Sequence, residues 1–430
     1  MSETRGELDV AIVGAGIGGV IALHYARSAG LRARVFDAKP GVGGLWRQLP
    51  AWQDIQIAAA DWTLGDLPLA GTFQPHILAN IEAWVDRFNL APDISLSTPV
   101  RAAARPGGWT LSTPDEDVSV RHLLVATGAH NQPVIPPVRR IASELKEMHS
   151  SALEDPSVLT GKSVLVIGAG ASALDLLDLA VLQGAAEITW AHRGLRWFTP
   201  TRRAKAIAGS VRDLSRLQAA GVTHPQQSAA LEANLRSRYE KFGLQSIMPA
   251  FSFDILRQQL IPGRHRMIEH FPSIRRIAAA PQLVDGGKVT FSDGATARPD
   301  LVLWATGYKT DLSWLDVPGL AAVHNAQNLR QRCGGAFRSL DAPLLYFLAV
   351  GLDGIGSTSF AFSLSCRSIM SHIRGTADLG MEPVTHNINH FDLVPFLAAR
   401  DPASFPGGWQ KMYRGLQLET PDDQPYPIPA

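Results

Sequence analysis

The sequence predicts an α/β protein of two Rossmann-like dinucleotide-binding modules, with the second inserted in the first. Three observations support this. A short apolar strand runs into a glycine-rich loop and then a helix twice in the chain, at Gly14–Gly19 and at Gly168–Ala173. Each unit closes on an apolar strand followed by Ala-Thr-Gly, 112 residues after the first loop (14 to 126) and 137 after the second (168 to 305). About 120 residues follow Asp311, enough to return and complete the first module.

Each element has a local reason. Asp9–Val13 is a β-branched run suited to a buried parallel strand. The segment from Val20 to Ser28 reads as a helix ended by Gly30, and Ala33–Phe36 as a strand that stops on Asp37. The pattern is rewritten as the strand Ser163–Ile167, a helix from Leu174 to Leu182 stopped by Gly184, and the strand Glu187–Trp190. Gln132–Pro137 is a stiff, proline-rich linker leaving the first module. Residues 200–260 exceed what a bare βαβ fold needs and read as a helical insertion. The expected division is 1–155 with 311–430 for the first module, and 156–310 for the second.

Composition narrows the function classes. Hydrophobic residues make up 46% and charged residues 18%, a globular balance, and the net charge of +1 asks for neither nucleic acid nor an anionic membrane. The two cysteines, Cys333 and Cys366, lie far apart and outside any metal or redox spacing, so no metal is expected. The first residues lack the apolar stretch of a signal peptide. The apolar run Pro343–Leu364 is broken by Asp353 and three glycines, short of a membrane span. The expectation is a cytoplasmic protein that takes a small-molecule substrate; a homo-oligomer is compatible with this composition.

The loops differ in a way that assigns their ligands. In the first, Gly14 turns out of the strand, Gly16 lets the backbone approach a pyrophosphate, and Gly19 lets helix and strand pack closely. Asp37, 23 residues beyond Gly14, stands where a carboxylate meets a ribose 2′-hydroxyl. The second loop has Gly168 and Gly170, then Ala171, Ser172 and Ala173, with alanine at the third glycine position. At its ribose position Arg193 replaces the acid, with His192 before it and Arg196 after. A carboxylate repels a 2′-phosphate and a guanidinium binds it, so this loop selects NADP(H). Residues 193–276 carry fifteen Lys and Arg against five Asp and Glu, in the same sense. The economical reading is FAD at the first loop and NADPH at the second, with hydride passing between them.

These residues resemble the flavin-containing monooxygenases and their relatives, the class B flavoprotein monooxygenases. Gly43-Gly44-Leu45-Trp46-Arg47 is similar to the family stretch beside the flavin. Val125-Ala126-Thr127-Gly128 with Pro133 and Pro136 resembles the first linker, and Gly161–Gly168 with Ser172 and Asp175 the second nucleotide motif. Arg193 falls at the 2′-phosphate arginine, Leu303–Tyr308 (with Thr306, Gly307 and Tyr308) resembles the family's ATGY segment, and Leu345–Gly351 its closing strand. The resemblance implies that NADPH reduces FAD, and that O₂ then forms a flavin hydroperoxide shielded by retained NADP⁺. The distal oxygen passes to a soft nucleophile, an amine nitrogen or a thioether sulfur. Gln56 is then the candidate amide holding the oxygen adduct, and Trp46 walls the flavin or is a core aromatic. The insertion and Phe360–Phe362 are expected to shape the substrate pocket.

One family feature is eroded. Of the fingerprint FxGxxxHxxx(F/Y) only His149 remains, with Ser143, Leu145 and Leu153 replacing its other positions. That histidine is equally readable as a surface residue. Erosion of a segment associated with coupling favours, as runner-up, an NADPH-dependent flavin oxidase or reductase without oxygen transfer. Baeyer–Villiger oxidation ranks below heteroatom oxidation, because the closing tryptophan of its fingerprint is missing. A disulfide reductase lacks its cysteine pair, and a non-enzymatic dinucleotide sensor has no use for the second, arginine-marked loop.

Overall fold

The computed structural model describes residues 7–55, 59, 64, 67–141, 144–201, 220–258, 260–335, 337–348, 358–382 and 396–404. Two parallel-centred sheets organise the chain. In the first, the strand Leu8–Val13 lies between Ala33–Phe36 and Asp117–Val125, parallel to both. Ile94–Ser95 extends the sheet beyond Ala33–Phe36. On the other side, residues 117–120 pair with the antiparallel meander Gly108–Ser112 and Arg101–Arg105, while residues 123–125 pair with Leu345–Phe347. The strand Asp117–Val125 is mostly exposed at its start and buried over its last four residues, because only that half is covered on both faces.

The second sheet repeats the plan. Ser163–Ile167 lies between Glu187–Ala191 and Leu301–Trp304, with Arg275–Ile277 and Lys146–His149 outside them, all parallel. The expectation of an α/β, Rossmann-like architecture is borne out. The first sheet draws its strands from residues 8–125 and 315–347, the second from 146–304. Lys146–His149 thus joins the second sheet ahead of residue 156, because its backbone completes the edge beside Leu301–Trp304.

Helix Ile17–Ser28 follows the first loop and buries Gly18–Leu23 and Ala26 against its sheet and against helix Thr358–Ile373. Helix Ala171–Leu182 follows the second loop and buries eight consecutive residues, Ala173–Ala180. One apolar cluster runs through both modules, from Val10, Ile12 and Trp84 to Val166, Leu174 and Trp190. Full burial of each large aliphatic side chain contributes about 1.5–3 kcal/mol, so the modules share a core. Of the expected insertion, 202–219 and 259 lie outside the described residues. Helix His224–Lys241 stands in it, opened by a capping box between Thr223 and Gln226. Its neck is the short parallel pair Phe198–Thr199 and Ile261–Pro262.

Candidate active site

Both glycine loops sit at the carboxyl ends of their central strands, where the neighbouring strands depart to opposite sides; this is the switch point at which open α/β sheets bind ligands. Gly14 has φ +109°, and a Cβ there would lie 2.5 Å from the Ala126 carbonyl oxygen, with the Thr127 nitrogen at 3.0 Å. A Cβ on Gly19 would run into the Gly14 carbonyl. Gly16 caps the helix with no side-chain hydrogen bond to its first N–H groups, leaving those donors to a ligand. Asp37 is half-buried; its Oδ2 accepts from Ala15 N–H (2.6 Å) and its Oδ1 from Lys39 N–H (2.8 Å). Each carboxylate oxygen keeps a lone pair for a ribose hydroxyl. Gly44 closes over this loop: its Cβ would meet the Gly16 Cα at 2.9 Å, and Gly43 N–H donates to Ala15 O at 2.9 Å. The short helix Leu45–Gln48 starts there. Gly128, exposed with φ +74°, ends the facing turn.

The second loop has the same build and a different rim. Gly168 has φ +143° and its Cβ would collide with the Ala305 carbonyl. Gly170 caps its helix without a side-chain partner and has open space around it. Ala171 is exposed and Ser172 half-buried, while Ala173, in the third-glycine position, is fully buried. Arg193 is exposed just past the strand Glu187–Ala191 and forms no hydrogen bond or ion pair with a described residue. His192 is buried, its Nδ1 without a partner, and burial followed by the Arg276 charge lowers its pKa. A guanidinium without a described partner at the second rim and a carboxylate at the first therefore distinguish the two clefts.

The modules meet at the Ala-Thr-Gly turns. His149 is 5% exposed, so it is not a surface residue; it ends the edge strand beside Trp304. Its Nδ1 accepts from Ser151 N–H (3.2 Å), which makes Nε2 the protonated nitrogen that donates to Gly307 O (3.0 Å). Burial lowers its pKa, and the Gly307 carbonyl opposes that. Gly307 O also accepts from Val134 N–H, and the Thr306 hydroxyl donates to Val134 O, tying the turn to the linker. Tyr308 packs edge-on against His149 (5.0 Å); burial raises its phenol pKa, opposed by Ser151 and Ser150.

Trp46 is half-buried and packs on the shared core, and its carbonyl accepts from the Gln74 amide. Gln56 and Gly351 lie outside the described residues. Three further polar residues lead from the Gly44–Trp46 turn to the second module: Gln53, Gln74 and Arg264. Gln53 Nε2 donates to Asp175 Oδ2 (2.9 Å), and Arg264 Nε donates to Asp175 Oδ1 (2.5 Å). No periodicity or motif marks them; the visible signal was Asp175, one of two carboxylates, with Asp178, in a helix otherwise apolar beyond Ser172. Cys333 and Cys366 are both buried and unpaired, and burial raises both thiol pKa values, that of Cys333 to about 12.

A family model described as pyridine nucleotide-disulphide oxidoreductase matches residues 11–233, more than half of the chain. The chain belongs to that family. The two cysteines of the chain, Cys333 and Cys366, lie 33 residues apart and are free and buried. A Baeyer–Villiger monooxygenase of Streptomyces coelicolor is 25% identical over 333 residues, covering 70% of this chain and 64% of its own. A phenazine N-monooxygenase of Lysobacter antibioticus is 30% identical over 200 residues, 42% of this chain and 36% of its own. Among solved structures, OTEMO in complex with FAD and NADP superposes with a TM-score of 0.68 at 18% identity, over 86% of this chain and 84% of that one. The chain spans 64% of the length of the first of these relatives. These two relatives are monooxygenases by description, the solved structure holds FAD and NADP, and the chain shares its fold. Among the described residues, no helix is long and apolar enough to cross a membrane, and no cluster of ligating side chains forms a metal site.

Proposed function

We propose that this oxidoreductase is an FAD-dependent, NADPH-consuming monooxygenase that delivers one oxygen atom of O₂ to a small molecule, with amine nitrogen or thioether sulfur the favoured acceptor. The observation that carries the reading is the contrast between the two rims: Asp37 with free lone pairs at one, Arg193 without a partner among the described residues at the other. The residues fit two dinucleotides. Both helix N-termini lack side-chain caps, and in both loops the glycine next to the strand leaves no room for a Cβ. At the first cleft Gly14, Gly16 and Gly19 would receive the FAD pyrophosphate, Asp37 the ribose, and Gly44, Leu45, Trp46, Thr127, Gly128 and Gly351 the remainder. At the second, Gly168, Gly170, Ala171, Ser172 and Ala173 would line the NADPH pyrophosphate and Arg193 would hold the 2′-phosphate. Thr306, Gly307 and Tyr308 close the junction between them.

Bound FAD supplies hydride acceptance and oxygen activation; the chain supplies placement and dryness. Gln56 would offer its side-chain amide on the flavin side of the first cleft, and Trp46 would wall it. The proposed domain assignment is 1–155 with 311–430 for FAD and 156–310 for NADPH, except that the strand Lys146–His149 belongs with the second sheet. The phenazine N-monooxygenase among the relatives favours nitrogen as acceptor, and the Baeyer–Villiger relative supports a ketone as second reading. A screen of amines, thioethers and ketones, scoring NADPH consumed against H₂O₂ released, separates them. The true acceptor suppresses H₂O₂ and yields its oxide or ester; release of every electron pair as H₂O₂ across the screen would leave an NADPH oxidase.

A further inference from the structure

The helix that begins at the second loop is wired to the turn that covers the first. Trp46 O, two residues past Gly44, accepts from the Gln74 side chain, whose residue is 7% exposed. Gln74 N–H donates to Gln53 O at 2.8 Å. The Gln53 amide crosses to the second module and donates to Asp175 Oδ2 at 2.9 Å. Asp175 is 8% exposed and sits about one turn into helix Ala171–Leu182; its other oxygen is held by Arg264, 4% exposed, at 2.5 Å. Arg264 donates in turn to Pro262 O and Gly263 O, and Gly263 N–H donates to Thr199 O in the neck of the insertion. Beside this chain, Trp52 Nε1 donates to Leu153 O at 2.5 Å.

The placement has an energetic logic. Taking a carboxylate and a guanidinium out of water is costly, and the pair holds only in good geometry with its remaining hydrogen-bonding capacity satisfied. Asp175 meets that condition only if Gln53 of the other module is in place. A buried ionic network specifies geometry more than it adds stability. We propose that Gln53, Asp175 and Arg264 are positioning residues that fix the second loop's helix against the Gly44–Trp46 turn, and so set the distance over which hydride passes from nicotinamide to flavin. This rests on the assignment of FAD to the first loop and NADPH to the second. None of the three is placed against either cofactor; they act through the modules they join. Displacing reacting atoms by about 1 Å costs on the order of 100-fold in rate, so loss of the pin should appear in the transfer step.

The test is Gln53→Ala in the full, FAD-loaded chain, mixed anaerobically with saturating NADPH. Gln53 is half-buried and is not part of the hydrophobic clusters, so its truncation leaves the core packing in place. The expected result is a fall of about tenfold in the flavin reduction rate. FAD content and the Kd for NADP⁺ stay unchanged, and the charge-transfer absorbance of nicotinamide against flavin weakens. Asp175→Asn should lower the same rate, and the double variant should be no slower than the slower single one. A fall below about threefold in Gln53→Ala, or single effects that multiply in the double variant, overturns the pin. If NADPH fails to reduce the wild type, the cofactor assignment falls with it; if NADPH reduces wild type and Gln53→Ala alike, the pin alone falls.

Discussion

Replacing Arg193 by alanine should remove most of the preference for NADPH over NADH and leave NADH turnover nearly unchanged. The magnitude follows from the side chain's surroundings. Arg193 is exposed and has no acidic partner among the described residues, so its loss strands no buried charge and disturbs no core contact. What disappears is a charge-assisted hydrogen bond to a phosphate, worth roughly 1.5–3 kcal/mol, and solvent exposure keeps it toward the lower end. That corresponds to a fall of about 10- to 30-fold in kcat/KM for NADPH. The assay measures kcat/KM for both nucleotides with both proteins at one ionic strength, then repeats at high salt, where the wild-type preference should shrink. An NADPH-to-NADH ratio unchanged in Arg193→Ala would refute the 2′-phosphate reading and return the second loop to an undiscriminating dinucleotide site.

Other perturbations give distinct signatures. Gly19→Ala drives a methyl group into the Gly14 carbonyl, and should cost more than about 2 kcal/mol together with FAD content, read by denaturant melts and bound flavin; normal flavin content would contradict a cradle this close. His149→Phe keeps a ring but deletes the bridge between Ser151 N–H and Gly307 O, leaving the Ser151 N–H without its acceptor and Gly307 O with only the Val134 donor, so about 1–2 kcal/mol should be lost; an unchanged denaturation midpoint would show the bridge to be idle. His122, in the strand Asp117–Val125, is buried beside Tyr346, and burial, then the Arg121 charge, lowers its pKa to about 4. The folded state then resists protonation that the unfolded chain accepts below its ordinary value near 6.5. Stability present above pH 6.5 should be lost as pH falls toward 4, by up to about 3 kcal/mol, and His122→Asn should flatten that slope; an equal slope in the variant would place the titration elsewhere.

The parts of this molecule written in local patterns were readable in advance. Val10–Val13 and Val164–Ile167 are apolar because both faces of a central strand are covered, and Gly14 and Gly168 are glycine because a carbonyl stands where Cβ would be. Such constraints act within a few residues, so sequence alone shows them. His149 was harder to read: a lone histidine with its motif eroded shows nothing of Ser151 and Gly307, which fold around it from two and 158 residues away. Gln53, Asp175 and Arg264 are separated by 122 and 89 residues along the chain, so no spacing could bring them together. The strand Lys146–His149 entered the second sheet for the same reason, through a pairing with residues 301–304 that its own four residues do not encode.

The central claim is that electrons from NADPH are spent on placing one atom of O₂ in a substrate. The most direct measurement is turnover under ¹⁸O₂ with the acceptor found in the screen. The account predicts one labelled oxygen in the product and the other in water for each NADPH oxidised. Label found only in H₂O₂, with the acceptor unaltered, would contradict it.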